Sequence, residues 1–175
     1  MALKPDRDVL QWDVSKFYSS SAAVASRGGI VSATGTVPSG AAMDQSVSQV
    51  WYHTNVAVTG GPSGAYPVGM LMGDVVNVDL TRQILNPNKS EAQLGDKVTL
   101  MQKGWVVTNL IDTTTGPTVG VGVAAYLSHS GYIGTEPGGL QNNAGETPDT
   151  TANARVGKFL TAVDEDGYAK VYIDL

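Results

Sequence analysis

The chain has 175 residues and a formal net charge of −5 at pH 7, with charged side chains making up 15% of it and no cysteine. A single domain with a real core is expected, because a chain of this size buries roughly two thirds of the surface that its unfolded form exposes. The lack of cysteine excludes disulfides, thiolate chemistry and Cys-ligated zinc, and the sparse, net-negative charge argues against phosphate groups, nucleic acid and anionic membranes as partners.

Residues 1–35 read as an extended N-terminal arm. The opening Met1-Ala2-Leu3-Lys4-Pro5-Asp6 turns polar at once, without the apolar stretch of a secretory signal. No later run approaches the roughly 20 apolar residues that span a bilayer. A soluble protein made in the cytosol is expected. Trp12, Phe17 and Tyr18 stand in polar surroundings before Ser19-Ser20-Ser21-Ala22-Ala23, a composition too weakly periodic for a buried helix or strand. Large aromatics with no local hydrophobic stripe to join mark a contact surface, so these three are the candidate partner-binding residues.

Residues 36–175 read as a β-domain. Between Val50 and Val58 the apolar and polar positions alternate with a period of two, placing Trp51, His53, Asn55 and Ala57 on one face of a strand. Val68, Met70, Met72, Val76, Val78 and Leu80 continue one face of a long strand, bent or bulged near Gly73-Asp74. Ser90 to Leu94 allows one or two helical turns, with Ser90 as N-cap and Gly95 as terminator. Val98 and Leu100 lead through Lys103-Gly104 into Trp105, Val107, Asn109 and Ile111 as a hairpin-like pair. Val119 to Leu127 alternates branched residues with Gly120, Gly122 and Ala124, leaving a nearly bare face for close packing. Residues 131–155, dense in Gly, Pro, Asn and Thr, form a long surface loop. The final stretch, VGKFLTAVDEDGYAKVYIDL, reads as a hairpin around an Asp166-Gly167 turn. Together these elements predict a mainly β fold, a compact β-barrel or sandwich that hides its sheet edges.

Candidate chemistry is sparse. His53 and His129 are the two histidines, and a Ser-His-acid triad can be assembled on paper from Ser128 or Ser130 with a nearby Asp, without the strand–turn–helix context of a nucleophile elbow. His53 reads as a strand-face residue. Gly120-Val121-Gly122-Val123-Ala124-Ala125 spells a dinucleotide loop, but no helix follows to receive a pyrophosphate. Asp164-Glu165-Asp166-Gly167 has carboxylates spaced as in a calcium loop, yet the twelfth position from Asp164 is Leu175, where an EF-hand needs a bidentate Glu. A hairpin turn accounts for it. Asn88-Lys89-Ser90 matches a glycosylation sequon, without weight in the absence of a secretory signal. No catalytic, cofactor-binding or metal residue is expected.

Several stretches carry a family resemblance: Gly69 onward, Gly95-Asp96-Lys97-Val98-Thr99-Leu100, Trp105-Val106-Val107-Thr108, VGVGVAAYLS and the terminal hairpin. Over roughly residues 45–130 and 156–175 the chain resembles the head decoration, or cement, proteins of tailed bacteriophages. The resemblance implies a barrel-like domain on the outside of the virion capsid, made in the host cytoplasm, often a homotrimer, bridging copies of the major capsid protein. It implies no active site, and no cofactor is expected; that neither nucleic acid nor a membrane is a partner is the expectation from charge. The alternative is a carbohydrate- or receptor-binding β-module of a virion fibre, with Trp51, Tyr66, Trp105 and Tyr132 as stacking platforms.

Overall fold

A computed structural model describes residues 3–13, 18–19, 24–34, 55–57, 66–77, 91–94, 96–114, 116–138 and 153–175. The fold is mainly β, as expected, and among the described residues a ten-stranded sheet is nearly closed like a barrel. The strands are β1 (Leu3–Asp13), β2 (Tyr18–Ser19), β3 (Ile30–Thr34), β4 (Asn55–Ala57), β5 (Tyr66–Leu71), β6 (Asp74–Val76), β7 (Glu91–Gln93), β8 (Leu100–Thr108), β9 (Ala124–Leu127), β10 (Ile133–Gly134), β11 (Arg155–Phe159) and β12 (Ala169–Asp174).

The long strand β8 organises the sheet. The order β10-β9-β11-β12-β8-β5-β3-β4-β2 runs through it, and β1 pairs with it as well. β12 opposes residues 103–108 of β8 and β5 opposes Leu100 and Met101, whereas β1 runs antiparallel to β8 from Thr108 back to Leu100. Beyond β8 the chain returns to the sheet, where Ile111 bridges Ile133 of β10 in parallel. The Asp112 amide donates to the Ile133 carbonyl at 2.9 Å and the Ile133 amide to the Leu110 carbonyl at 3.0 Å. These bonds close the circuit β8-β12-β11-β9-β10.

Inside that circuit lies the larger core, with Leu3, Ile30, Met70, Met101, Val106, Leu127, Ile133, Val156, Phe159, Val171 and Ile173 buried together. Full burial of each such large side chain stabilises the fold by about 1.5–3 kcal/mol relative to exposure. A second cluster, Val31, Leu71, Val75, Val98 and Leu100, packs beside it. The two-stranded parallel sheet of β6 and β7 contributes Val75, while Ala92 packs alongside.

Several elements differ from expectation, each for a local reason. The polar start of the chain is a strand, and Leu3 is buried opposite Thr108. Backbone pairing to a formed neighbour overrides weak intrinsic β preference. Pro5, which cannot donate to a ladder, falls within the register irregularity between Leu3 and Arg7. Residues 30–34, which the sequence places in the arm, form β3, with Ile30 and Val31 buried. The long strand from Val68 breaks into β5 and β6 at Met72-Gly73, where Asp74 accepts from the Arg27 amide at 2.9 Å and pairs with its guanidinium at 3.5 Å.

Lys103-Gly104 is not a turn but the middle of β8. Gly104 has φ +143°, and a Cβ there would collide with the Asp8 carbonyl of β1. The residues expected to form a helical turn before Gly95 give β7 instead, paired in parallel with β6. The strand expected from Val119 shortens to β9, because Gly120–Val123 is a turn closed by the Val123 amide on the Gly120 carbonyl, with Val121 78% exposed at its tip. No bare face forms there. The terminal hairpin pairs as expected, but its connection is longer than two residues: Leu160 and Asp164 still donate to Lys170 and Tyr168. Of the expected strand at 50–58 the described residues include β4 alone; of the expected surface loop at 131–155 they include 131–138 and 153–155, where Ile133-Gly134 form the buried β10 and Arg155 begins β11.

Candidate functional site

Two surfaces and one buried cluster carry the side chains from which a function can be built. The first surface is the β1 edge. β1 pairs with β8 and with no other strand among the described residues. After Leu3 its side chains are largely exposed, and Leu10 (60%) and Trp12 (66%) are apolar groups held in solvent. Leu10 sits where the register slips between Val9 and Gln11, and Trp12 lies opposite Met101. An unpaired strand edge flanked by exposed apolar side chains is a template for association.

Of the three residues expected to bind a partner, Trp12 is on this edge. The backbone of Tyr18 lies in β2, paired in parallel with Asn55 of β4. Phe17 and the Tyr18 side chain lie outside the described residues.

The second surface is the outward face of β11, β12 and β8. Along β12 the side chains alternate, with Ala169, Val171 and Ile173 inside and Lys170, Tyr172 and Asp174 outside. The register sets Tyr172 between Lys158 and Trp105, and Asp174 opposite Lys103. Lys170 Nζ lies 3.4 Å above the centroid of the Trp105 ring, and Lys158 Nζ lies 5.8 Å from that of Tyr172. Such cation–aromatic contacts contribute about 0.5–1 kcal/mol each at exposed sites. The Lys103 ammonium meets Asp174 at 3.0 Å, and that hydrogen bond, reinforced by charge attraction, raises its pKa above the ordinary lysine value.

Simple alternation would put Arg155 and Lys158 on opposite faces of β11. The register between β11 and β9 slips between Arg155 and Gly157, so Val156 and Gly157 are both buried and the two cations share the outer face. Gly157 is required there, since a Cβ would strike the Tyr172 carbonyl. Arg155, Gly157, Lys158, Tyr172 and Asp174 line a shallow recess.

The buried cluster centres on Asp112, 3% exposed. Its Oδ1 accepts from the Thr114 amide at 2.9 Å and the Thr114 hydroxyl at 2.6 Å, and its Oδ2 accepts from the Ser128 hydroxyl at 2.6 Å. His129 Nδ1 is 3.2 Å from Ser128 Oγ and 3.5 Å from Asp112 Oδ2, and its ring stacks on Tyr132. The residues of the paper triad do meet, but in the wrong order. A triad needs the imidazole to bridge serine and acid through its two nitrogens. Here the serine proton goes to the carboxylate, and one ring nitrogen faces both groups. The cluster is a latch tying the segment after β8 to the end of β9.

The acidic motif at residues 164–167 resolves as local structure, and the Asn88-Lys89-Ser90 sequon lies outside the described residues. Asp164 Oδ1 accepts from the amides of Asp166 and Tyr168 at 3.1 and 2.7 Å, which ties the Asp-Gly turn. The stacking residues of the carbohydrate reading sit on separate elements. Tyr66 pairs with Ala33, Tyr132 stacks on His129, Trp105 is covered by Lys170, and Trp51 and His53 lie outside the described residues.

Sequence reasoning missed Arg155, Lys158, Lys170 and Tyr172. The alternation Lys170-Val171-Tyr172-Ile173-Asp174 carried part of the signal, but the bulge that turns Arg155 outward left none. No family model matches this chain, and neither does any curated protein.

Proposed function

We propose that this protein is a structural component of a tailed-phage virion that binds the outer surface of the capsid and stabilises it by bridging major capsid protein subunits, without transforming a substrate. The observation that carries the reading is the β1 edge away from β8, unpaired among the described residues, with Leu10 and Trp12 held in solvent. The sequence resemblance supports it, and so does the physics of a shell. A preformed barrel docks with little ordering cost, and a modest contact repeated over every symmetry-related position accumulates into strong retention.

The protein would be made in the host cytoplasm and join the shell as a homotrimer, with no nucleic acid or membrane contact. The carbohydrate- or receptor-binding alternative is less well supported, because Lys170 already occupies one face of the Trp105 ring.

The test is co-sedimentation with cognate phage heads. Truncating the arm would remove buried Leu3 and confound the result, so exposed positions are the better probes. Wild type is expected to pellet with heads, and Leu10→Ser combined with Trp12→Ala to bind at least ~10-fold more weakly, since central aromatic anchors dominate interface energetics. Undiminished binding by that variant removes the edge from the account, and wild type that leaves heads undecorated while binding a glycan array replaces the reading with its alternative.

A further inference from the structure

We propose that the cationic, aromatic face of β11, β12 and β8 receives the acidic turn at residues 164–166 of a second copy of this chain, so that copies associate head to tail. The proposal rests on the homotrimer in the reading above only for the number of copies.

The chain as a whole is acidic, at −5. Its outward β11–β12 face nevertheless gathers Arg155, Lys158 and Lys170, while the acid that lines the same recess, Asp174, is engaged by Lys103. Lys158 and Lys170 lie over aromatic rings, and among the described residues neither is paired with a carboxylate. Arg155 directs its Nε to the Gly157 carbonyl at 3.4 Å, which leaves its other donors at the rim of the recess. An arginine beside a lysine over a tyrosine ring suits carboxylates, the arginine through paired N–H donors and the lysine as a point charge.

The complementary element is the turn of the same hairpin. Asp164, Glu165 and Asp166 are consecutive and exposed at the tip. The tip is preorganised: Asp164 Oδ1 ties the backbone at Asp166 and Tyr168, and Asp164 Oδ2 meets Lys4 at 3.7 Å. The Glu165 and Asp166 side chains point charge outward from a fixed turn, so little ordering is needed on contact. Donor and receiver are different surfaces of one chain, the turn and the outward face of the two strands it joins. Such a contact is heterologous, and it closes into a ring when the rotation between copies permits.

The test is solution mass by light scattering and sedimentation equilibrium on the full chain. Arg155→Glu with Lys158→Glu reverses the receiver, and Glu165→Lys with Asp166→Lys reverses the tip. All four side chains are exposed, so circular dichroism and thermal melting should match wild type. Wild type is expected to assemble, each reversed pair to weaken self-association at least ~10-fold through like-charge contact, and the four changes together to restore it. Molar salt, with a screening length of about 3 Å, should also disperse the wild-type assembly.

A monomeric wild type, reversals that leave the mass unchanged, or a four-fold variant that stays dispersed each overturns the proposal. Head co-sedimentation of the same proteins separates the two readings. Retained head binding with no self-association sinks this contact alone, and the expected masses with no head binding sink the capsid reading alone.

Discussion

The Ser128 hydroxyl donates to the buried Asp112 carboxylate at 2.6 Å, joining the strand end after β8 to the end of β9 at the point where the barrel closes. Replacing Asp112 by Ala would leave the buried Ser128 hydroxyl without its acceptor and release the exposed Thr114 from the same carboxylate. Hydrogen bonds to charged groups contribute about 1.5–3 kcal/mol each, and stranded partners add to the loss. Asp112→Ala is expected to lower unfolding stability by about 3 kcal/mol in urea titration. Ser128→Ala should cost less, and the two should be markedly non-additive because they share one network.

Gly104 is expected to tolerate no side chain. Gly104→Ala sets a methyl group against the Asp8 carbonyl, and β1 must shift away or β8 must distort. A loss of about 2–3 kcal/mol is anticipated, with hydrogen exchange quickening first in β1. Exchange rates in β1 that match wild type would show that the two strands are less closely pressed than their geometry indicates.

The Lys103–Asp174 pair has a defined pH signature. The folded-state pKa of Lys103 is raised above its unfolded value, so its contribution is fully present below the unfolded lysine pKa and is lost as pH rises through the folded one. Both side chains are well exposed and the pair is screened. A double-mutant cycle with Lys103→Ala and Asp174→Ala should therefore give a small favourable coupling at neutral pH that vanishes above the lysine range and shrinks in high salt. Coupling that survives strongly alkaline conditions would contradict the assignment.

Phe159 and Trp12 should respond oppositely to truncation. Phe159 is wholly buried in the larger core, and Phe159→Ala should cost about 3–5 kcal/mol. Trp12 is mostly exposed, so Trp12→Ala should change stability by no more than about 0.5 kcal/mol. A paired urea series on the two variants checks this.

Where side chains alternate without interruption, the sequence declared the fold. β12 was legible because a period of two survives along it; in β8 the sequence pointed to the face of Trp105 and Val107, whereas Gly104, Val106 and Thr108 are the buried ones. It failed where one residue breaks the period or mimics punctuation. Lys103-Gly104 imitated a turn because a glycine demanded by a neighbouring strand looks the same in sequence as one demanded by a bend. Residues 120–123 imitated a strand because valine at a turn tip preserves the spelling of alternation. β1 was hidden by its polarity, since pairing to β8 and not its own pattern makes it a strand. Of the candidate surfaces, the exposure of Trp12 was legible from its polar neighbours. The sharing of one face by Arg155 and Lys158 was not, because a bulge is a relation between two strands.

β8 holds β1 on one edge and β12 on the other, and both partners lie far from it along the chain. A protein built on such distant pairings has a high contact order. Its folding must meet large loop-closure costs before its central ladder returns any stability, so refolding on the millisecond-to-second scale is expected. Until β12 arrives, β8 stands open on that side, and any chaperone or neighbouring chain that captures it would divert the molecule before the barrel exists.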